Sequence, residues 1–348
     1  MAHCDQQQAE KIANEVRERI EQFQFVWESR VFTIGASIGV TSMHRQTVDM
    51  TEVLKHADTA CYAAKNSGRN RVYLYQDDDK HLVKQQGELH WVNEIKQALA
   101  EDRFALFLQP IVSAHSGQAA FYEVLLRLRS EQGDLTPPSA FLPSAERYNL
   151  SDRVDKWVLD KALTWLDKNK HAVPHLQQLA INLSGASLGN DEVLQFISDK
   201  LKQVSFPASM IKFEITETAA IGNLREATRF IRAMSALGCQ FSLDDFGSGL
   251  SSFGYLKQLP VQGIKIDGMF VKDMADDPLD YEMVKSINDI GHVMGLQTIA
   301  EFVENETVWQ QLQAIGVDYG QGYHLGKPQP IDAILDNTVI RDGLKYDK

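Results

Sequence analysis

Cysteine is scarce in this chain. Cys4, Cys61 and Cys239 are the only three in 348 residues. Their number is odd and their spacing matches neither a zinc site nor a disulfide framework, so a reducing cytoplasm is the expected setting. No apolar run reaches the length of a membrane span, and no signal-peptide pattern opens the chain. No membrane contact is therefore expected from this stretch. Cations are outnumbered: 35 Lys and Arg face 47 Asp and Glu, a formal charge of −12. That balance argues against unspecific binding of a DNA or RNA polymer, which needs a cationic surface. Low-complexity tracts and short internal repeats are missing too. The length suits one large barrel plus a smaller piece.

What is present is led by Phe241-Ser-Leu-Asp-Asp-Phe-Gly-Ser-Gly-Leu-Ser-Ser252. A strand-like apolar run ends in two adjacent carboxylates, Asp244 and Asp245. Gly247 and Gly249 form a tight turn, and Ser251 and Ser252 suggest a helix start. Two like charges at a strand end repel unless a cation lies between them. A turn in which one Asp caps the next helix explains the same residues equally well when they are taken alone.

Repetition favours the first reading. Glu123 lies in Ala120-Phe-Tyr-Glu-Val-Leu-Leu-Arg127, Asn182 ends Leu179-Ala-Ile-Asn182, and Glu214 sits in Ile211-Lys-Phe-Glu-Ile-Thr-Glu217. Lys265 and Asp267 close Ile264-Lys-Ile-Asp267, Glu301 ends Thr298-Ile-Ala-Glu301, and Gln321 follows Val317-Asp-Tyr-Gly320. Short β-prone runs with polar residues near their C-terminal sides, separated by helical stretches, predict a β/α barrel whose site lies at the strand ends. Glu, Asn, Glu, Asp and Asp are hard oxygen donors without a competing His or Cys, a set suited to Mg²⁺ or Mn²⁺. Five such side chains suffice for two cations, with Asp244 as the expected bridge. A two-metal site serves in-line displacement at a phosphodiester. Lys265 would add positive charge or orient water, and Glu301 would accept its proton. A metal barrel acting on a carbon acid is the alternative on residue types alone.

From about residue 89 to 340 these motifs resemble the EAL domain, the family of cyclic di-GMP phosphodiesterases. The signature tripeptide reads Glu123-Val124-Leu125, with Val where the family name has Ala. The resemblance implies a TIM-like (β/α)8 barrel that opens cyclic di-GMP to linear pGpG. It implies metal ligands at Glu123, Asn182, Glu214, Asp244 and Asp245, and catalytic groups at Lys265 and Glu301. Glu217 matches the Glu that tethers the Asp-Asp-Phe-Gly loop. Arg127 matches the substrate-binding arginine, and Gln109-Pro110 matches the first barrel strand. Gln109, Arg127, Asp267 and Gln321 form the expected substrate-binding set. Ser248 and Leu250 replace the family's frequent Thr and Tyr. Phe141 and Pro143 resemble a segment near the substrate mouth, with contact and packing left open. Degenerate, non-catalytic cyclic di-GMP receptors and dimerising regulatory modules also occur in the family, and the complete metal set separates this chain from the receptors.

The preceding segment resembles the C-terminal half of a GGDEF, or diguanylate cyclase, domain. Phe32-Thr-Ile-Gly-Ala-Ser-Ile-Gly-Val40 and Ala57-Asp-Thr-Ala-Cys-Tyr-Ala-Ala-Lys-Asn-Ser-Gly-Arg69 carry the likeness, but the Gly-Gly-Asp-Glu-Phe signature is missing. Cyclase activity is not expected, and Lys65 and Arg69 read as surface charges. Three parts follow: a partial segment 1–76, a helical linker 77–101 and a barrel 102–348. Exposed strand edges in the partial segment are expected either to dock on a second copy, giving a homodimer, or to stay loosely folded, with the first favoured because the strand at 31–40 is apolar. Parent proteins of this family often carry sensors or membrane segments upstream. Local patterns predict helices over 5–23 and 52–66, the latter stopped by Ser67-Gly68, and strands over 31–41 and 71–75. A long helix should start at residues 77–79, Glu304 is a candidate helix cap, and a short helix should follow Pro328 and Pro330. The histidines, His292 and His324 among them, follow no metal-ligand spacing.

Overall fold

Alternation of inward and outward residues on eight short strands closes the larger part of the chain into a barrel. The computed structural model describes residues 6–27, 30–42, 50–66, 70–75, 80–130, 132–173, 175–248 and 254–335. Cys4 and residues 67–69, 77–79 and 249–252 lie outside the described residues, as does the side chain of Lys65. The chain divides into two compact units, residues 1–93 and 94–348. The division falls within the helix Lys80–Glu101.

The barrel strands are β1 (Phe104–Ser113), β2 (Ala119–Arg129), β3 (Gln178–Asn182) and β4 (Ile211–Thr216). They continue with β5 (Gln240–Phe246), β6 (Gly263–Ile266), β7 (Gln297–Ala300) and β8 (Tyr319–Gly320). From β2 to β8 every neighbour is parallel, and β1 closes the ring by pairing antiparallel with both β2 and β8. Here the structure departs from the expected alternation, because no helix separates β1 from β2. The turn His115-Ser116-Gly117 joins them as a hairpin, with Gly117 at φ 67° and its N–H donating to Ser113 O at 2.8 Å. Such a short turn can reverse a strand but cannot carry a crossover.

Outward residues of the strands pack on helices. Phe213 of β4 and Phe241 of β5 lie 5.3 Å apart, and Phe230 of the helix Leu224–Ala236 meets Phe241 edge-on at 6.3 Å. All three are fully buried, and each contributes about 1.5–3 kcal/mol by leaving water. Inward, Ile111, Phe121, Ile299 and Tyr319 form an apolar floor. Polar residues occupy the next inward level. On β4 and β5 the step of two from Lys212 to Glu214, and from Ser242 to Asp244, keeps both members of each pair on one face.

Loops after the strands are fixed by buried polar bonds. Asp155, on the helix Ser151–Asn169, accepts from Ser184 N at 2.9 Å, Ser184 Oγ at 2.7 Å and Ser187 Oγ at 2.6 Å. This ties down the chain two residues beyond Asn182. Asn305, not Glu304, caps the helix Glu306–Ile315, its Oδ1 accepting from Val308 N at 2.9 Å. Phe141 is fully buried 5.8 Å from Phe104, which makes it a packing residue and not a substrate contact. After the barrel, Gln329–Pro330 pairs antiparallel with β1 before a 3₁₀ turn, Ile331–Leu335, stands where a short helix was expected.

In the smaller unit the helix Gln6–Gln22 is followed by an antiparallel pair, Gln24–Trp27 and Arg30–Thr33. Ile38–Val40 pairs in parallel with Val72–Leu74, and the helix Met50–Asn66 lies between them in sequence. The single strand expected over 31–41 is therefore two, each with a different neighbour. The break at Ile34-Gly-Ala-Ser37 brings Gly35 beside the side chain of Asn70. Among the described residues no helix is long and apolar enough to cross a membrane.

Asp155→Ala should destabilise the barrel by about 1–3 kcal/mol, because the Ser184 N–H and two hydroxyls lose a buried acceptor. Urea unfolding followed by tryptophan fluorescence measures this. An unchanged midpoint would show that water replaces the carboxylate there at no cost.

Candidate active site

Each strand delivers one polar side chain to a common cluster, and the centre of that cluster is the ammonium of Lys265. It is fully buried on β6. Its Nζ lies 2.8 Å from Glu301 Oε1, 3.0 Å from Glu214 Oε2, 3.1 Å from Asp244 Oδ1 and 3.4 Å from Glu123 Oε2. Four carboxylates from β2, β4, β5 and the end of β7 thus converge on one cation. Burial alone would depress the lysine pKa. Asp244, Glu123, Glu214 and Glu301 outweigh it and hold Lys265 well above its usual range.

Amides complete the ring. Asn182 Nδ2 donates to Glu123 Oε1 at 2.6 Å, and Gln321 Nε2 donates to Glu123 Oε2 at 2.6 Å and to Gln109 Oε1 at 3.2 Å. Gln109 Nε2 donates onward to Gly326 O at 3.1 Å. An Asn that donates through its nitrogen keeps its carbonyl oxygen for another partner. With Lys265, these donors hold Glu123 below the usual carboxylate range despite its burial.

Negative charge exceeds what Lys265 can balance. Burial, then Glu123 and Asp244, push Glu214 well above its ordinary value. Burial raises Glu301 to about 8, with Asp244 and Glu123 adding to it against Lys265. Burial, Asp244 and Asp267 raise Asp245 to about 6. Carboxylate oxygens of Asp244, Asp245 and Glu301 lie within 4.8 Å of one another. Glu214 Oε1 is buried without a hydrogen-bond partner. A divalent cation fits this set: hard oxygen donors, surplus negative charge and an unsatisfied buried acceptor.

The end of β5 is locally strained. Its pairing with β6 slips between Leu243 and Phe246, and Asp245 adopts φ 53°. This bulge sends Asp244 inward beside Lys265 and leaves Asp245 exposed. Glu217 anchors the following turn. Its Oε2 accepts from Gly247 N at 3.0 Å and its Oε1 from Tyr255 Oη at 2.5 Å.

Two expected site residues stand apart from this cluster. Arg127 shares an inward-facing set with Glu123 on β2 but lies four residues, roughly 13 Å, nearer the rim. Its guanidinium sits 5.5 Å from the Phe107 ring centre, and Nη1 donates to Leu126 O at 2.8 Å. Asp267 caps the short helix Gly268–Val271 by accepting from Met269 N at 2.8 Å. His292 and His324 pair with Asp318 at 3.1 Å and Glu306 at 3.0 Å, away from the centre.

Tyr255 and Lys212 were not anticipated. Nothing local to Tyr255 signals its bond to Glu217, 38 residues earlier. Lys212 was readable, because it lies two residues before inward-facing Glu214. It is 1 % exposed, with its Nζ 4.9 Å from the Phe121 ring centre and 3.4 Å from Gln297 Oε1. Among the described residues no carboxylate lies within ion-pair distance of it.

Residues 92–328 match the EAL domain family, and residues 1–71 match the family described as diguanylate cyclase, GGDEF domain. The chain is 42% identical over 311 residues to the cyclic di-GMP phosphodiesterase PdeB of Shewanella oneidensis, covering 89% of this chain and 36% of that protein. It is 35% identical over 332 residues to the cyclic di-GMP phosphodiesterase PdeF of Escherichia coli, covering 93% and 43%. The chain thus spans less than half the length of these curated relatives. Among solved structures, it is similar to the FimX EAL domain of Pseudomonas aeruginosa bound to c-di-GMP, with TM-score 0.64, 33% identity, and 69% and 96% of the two chains covered. The PaMucR phosphodiesterase in complex with c-di-GMP gives TM-score 0.67 and 32% identity, covering 70% and 99%.

The raised carboxyls set a pH dependence. Glu301 and Asp245 ordinarily titrate at 4.5 and 3.8, but in the fold at about 8 and 6. The folded protein therefore binds more protons than the unfolded chain between these limits, and its metal-free stability falls as pH rises through them. A divalent cation must displace those protons, so its affinity rises over pH 6 to 8. The thermal midpoint should rise more on adding Mn²⁺ at pH 8 than at pH 6. Equal increments would rule out this protonation scheme.

Proposed function

We propose that this chain, which belongs to the EAL domain family, is a metal-dependent phosphodiesterase that opens cyclic di-GMP to linear pGpG. The observation that carries the reading is the gathering of Glu123, Glu214, Asp244 and Glu301 around buried Lys265, with Asp245 beside them. Relatives that are themselves named cyclic di-GMP phosphodiesterases support it. The ions are Mg²⁺ or Mn²⁺, two in number, held by Glu123, Asn182, Glu214, Asp244 and Asp245. When bound, they screen the phosphodiester charge and make water a better nucleophile.

The chain's own groups divide the remaining work. Lys265 stays protonated at neutral pH, so it is no base; it donates hydrogen bonds and supplies charge to the reacting phosphate or water. Glu301, raised to about 8, is suited to take a proton from water as the water oxygen attacks phosphorus. The phosphorus–3′-oxygen bond breaks, and the ring opens to a 5′-phosphorylated dinucleotide. Gln109, Arg127, Asp267 and Gln321 orient the substrate, with Arg127 pairing to a phosphate from the rim. Glu217 holds the turn after Asp245, so that ligand position and loop position change together. The chain works as a homodimer in the cytoplasm, which light scattering of the purified protein tests for assembly.

Separation of nucleotide products after incubation with cyclic di-GMP and Mg²⁺ or Mn²⁺ tests the activity directly. Asp244→Asn should remove most turnover with the fold intact; near-normal hydrolysis would defeat the two-metal assignment. Lys265→Ala and Glu301→Gln should each lower kcat by about 10²–10⁴ with a smaller change in KM. A Lys265→Ala enzyme that loses only affinity would make the lysine a substrate clamp. Glu217→Ala should weaken catalysis and shift the metal response without removing a ligand. Wild-type metal dependence in that variant would separate the loop from the metal site.

A further inference from the structure

Two residues, Asp102 and Arg103, join the helix Lys80–Glu101 to β1. Asp102 makes the turn at φ 57°, and Arg103 gathers bonds from both sides of it. Its Nε donates to Glu101 Oε2 at 2.8 Å, and its Nη1 and Nη2 both donate to Glu94 Oε2 at 3.3 Å. Its Nη1 also donates to Arg129 O at 3.0 Å. Its backbone N donates to Ala98 O, and its backbone O accepts from Arg129 N, each at 2.9 Å. Glu94 and Glu101 stand seven residues apart, on one face of the helix. One guanidinium thus fastens the last two turns of the helix to the last residue of β2. An exposed ion pair would add little, but this side chain is only 12 % exposed and its planar fork meets two carboxylates and a carbonyl at once.

The rim end of β2 has few other supports. β3 pairs with β2 only from Phe121 to Val124. Beyond Val124 the strand is held by β1 on one edge and, at Leu128 and Arg129, by the short strand Leu135–Thr136 on the other. Arg127 lies in this overhang, opposite Ala105, with its guanidinium over Phe107 of β1. The pairing of β1 with β2 therefore sets both the backbone of Arg127 and the ring beneath it. Arg103 bonds both backbone groups of Arg129, two residues farther on, and so closes that ladder at its open end.

Elsewhere on the surface such a brace would concern stability alone. Here the braced segment carries the arginine that pairs with a substrate phosphate in the reading above. Fraying the last rung would shift the overhang, and a shift of about 1 Å is enough to spoil a productive contact.

We infer that Arg103 is a positioning residue for the substrate: by locking the last rung of the β1–β2 ladder to the entering helix, it holds Arg127 where a phosphate of the dinucleotide meets it. The inference deepens the phosphodiesterase reading and rests on the substrate role of Arg127. Arg103 acts on affinity through Arg127, and not on the proton or the phosphorus.

The test is steady-state kinetics with cyclic di-GMP and Mn²⁺ for wild type, Arg127→Gln, Arg103→Gln, Arg103→Lys and the double variant Arg103→Gln with Arg127→Gln. Arg127→Gln removes a charge-assisted contact and should raise KM about 10- to 150-fold. Arg103→Gln misplaces that contact and should raise KM roughly 3- to 30-fold, with kcat changed less and the Mn²⁺ midpoint for thermal stabilisation unmoved. In the double variant KM should equal that of Arg127→Gln, because nothing remains for Arg103 to position. Arg103→Lys should behave as Arg103→Gln does, since it keeps the charge and loses the fork. Full rescue by lysine would make the effect a general attraction of an anionic substrate and overturn the inference. Multiplied effects in the double variant overturn it too, as does an unchanged KM in Arg103→Gln beside a raised KM in Arg127→Gln. Should the Arg103 variants unfold in the assay, Glu94→Gln with Glu101→Gln keeps the arginine and loosens it from the helix. A raised KM there, absent when Arg127→Gln is added, supports the inference, and an unchanged KM overturns it. If Arg127→Gln itself leaves KM at the wild-type value, the substrate role of that arginine fails and the inference with it. If wild type neither binds nor cleaves cyclic di-GMP, the phosphodiesterase reading fails first.

Discussion

Everything at the mouth of this barrel depends on one buried ammonium. Lys265 is surrounded by carboxylates from β2, β4, β5 and the end of β7, at 2.8–3.4 Å. Without it, four acidic side chains would face one another in a space with little water, where like charges repel strongly. With it, they converge, and burial, with their mutual repulsion adding to it, raises the proton affinity of Glu214 and Glu301. The lysine is thus a structural counter-charge before it has any chemical role. It does not neutralise the set, and that residual negative charge is what draws cations.

The β5 end shows how local irregularity serves the same centre. A regular strand would send Asp244 and Asp245 to opposite faces. The slipped pairing and the left-handed Asp245 instead keep their oxygens near Glu301. Such a conformation persists only when its surroundings hold it. Here Glu217 does so through Gly247, and Tyr255 holds Glu217. Beneath the carboxylates lies a second buried lysine, Lys212, set against an aromatic ring and an amide rather than an acid. Burial, with Lys265 adding to it against the pull of Glu214, holds its pKa below the usual lysine range.

Much of this was legible in the sequence, for a simple reason. A polar residue set within or at the end of an apolar run has few places to go except a site, and Glu123, Asn182, Glu214, Lys265 and Glu301 all stand so. What failed were inferences needing direction or distance. Alternation of apolar residues is the same whichever way a strand points, so the reversal of β1 left no trace in the hydrophobic pattern. The apolar stretch 31–41 reads as one strand because pairing partners are not encoded locally. Phe141 resembles a mouth segment, with contact and packing left open by the sequence, and its fully buried ring near Phe104 decides for packing. Glu304 and Asn305 are adjacent, and the shorter amide side chain took the capping role.

The reversed first strand also settles where the barrel is entered. In a barrel of eight parallel strands the chain arrives at the floor, the end remote from chemistry. Here Phe104 begins β1 opposite Leu128, Ala105 lies opposite Arg127, and Arg129 N donates to Arg103 O at 2.9 Å. The covalent doorway is therefore on the rim, at the level of Arg127. A twist or pull transmitted along the backbone before residue 104 reaches the neighbours of that arginine first and the floor last. The backbone thus joins the barrel on the side of the carboxylate cluster, with no strand to cross first.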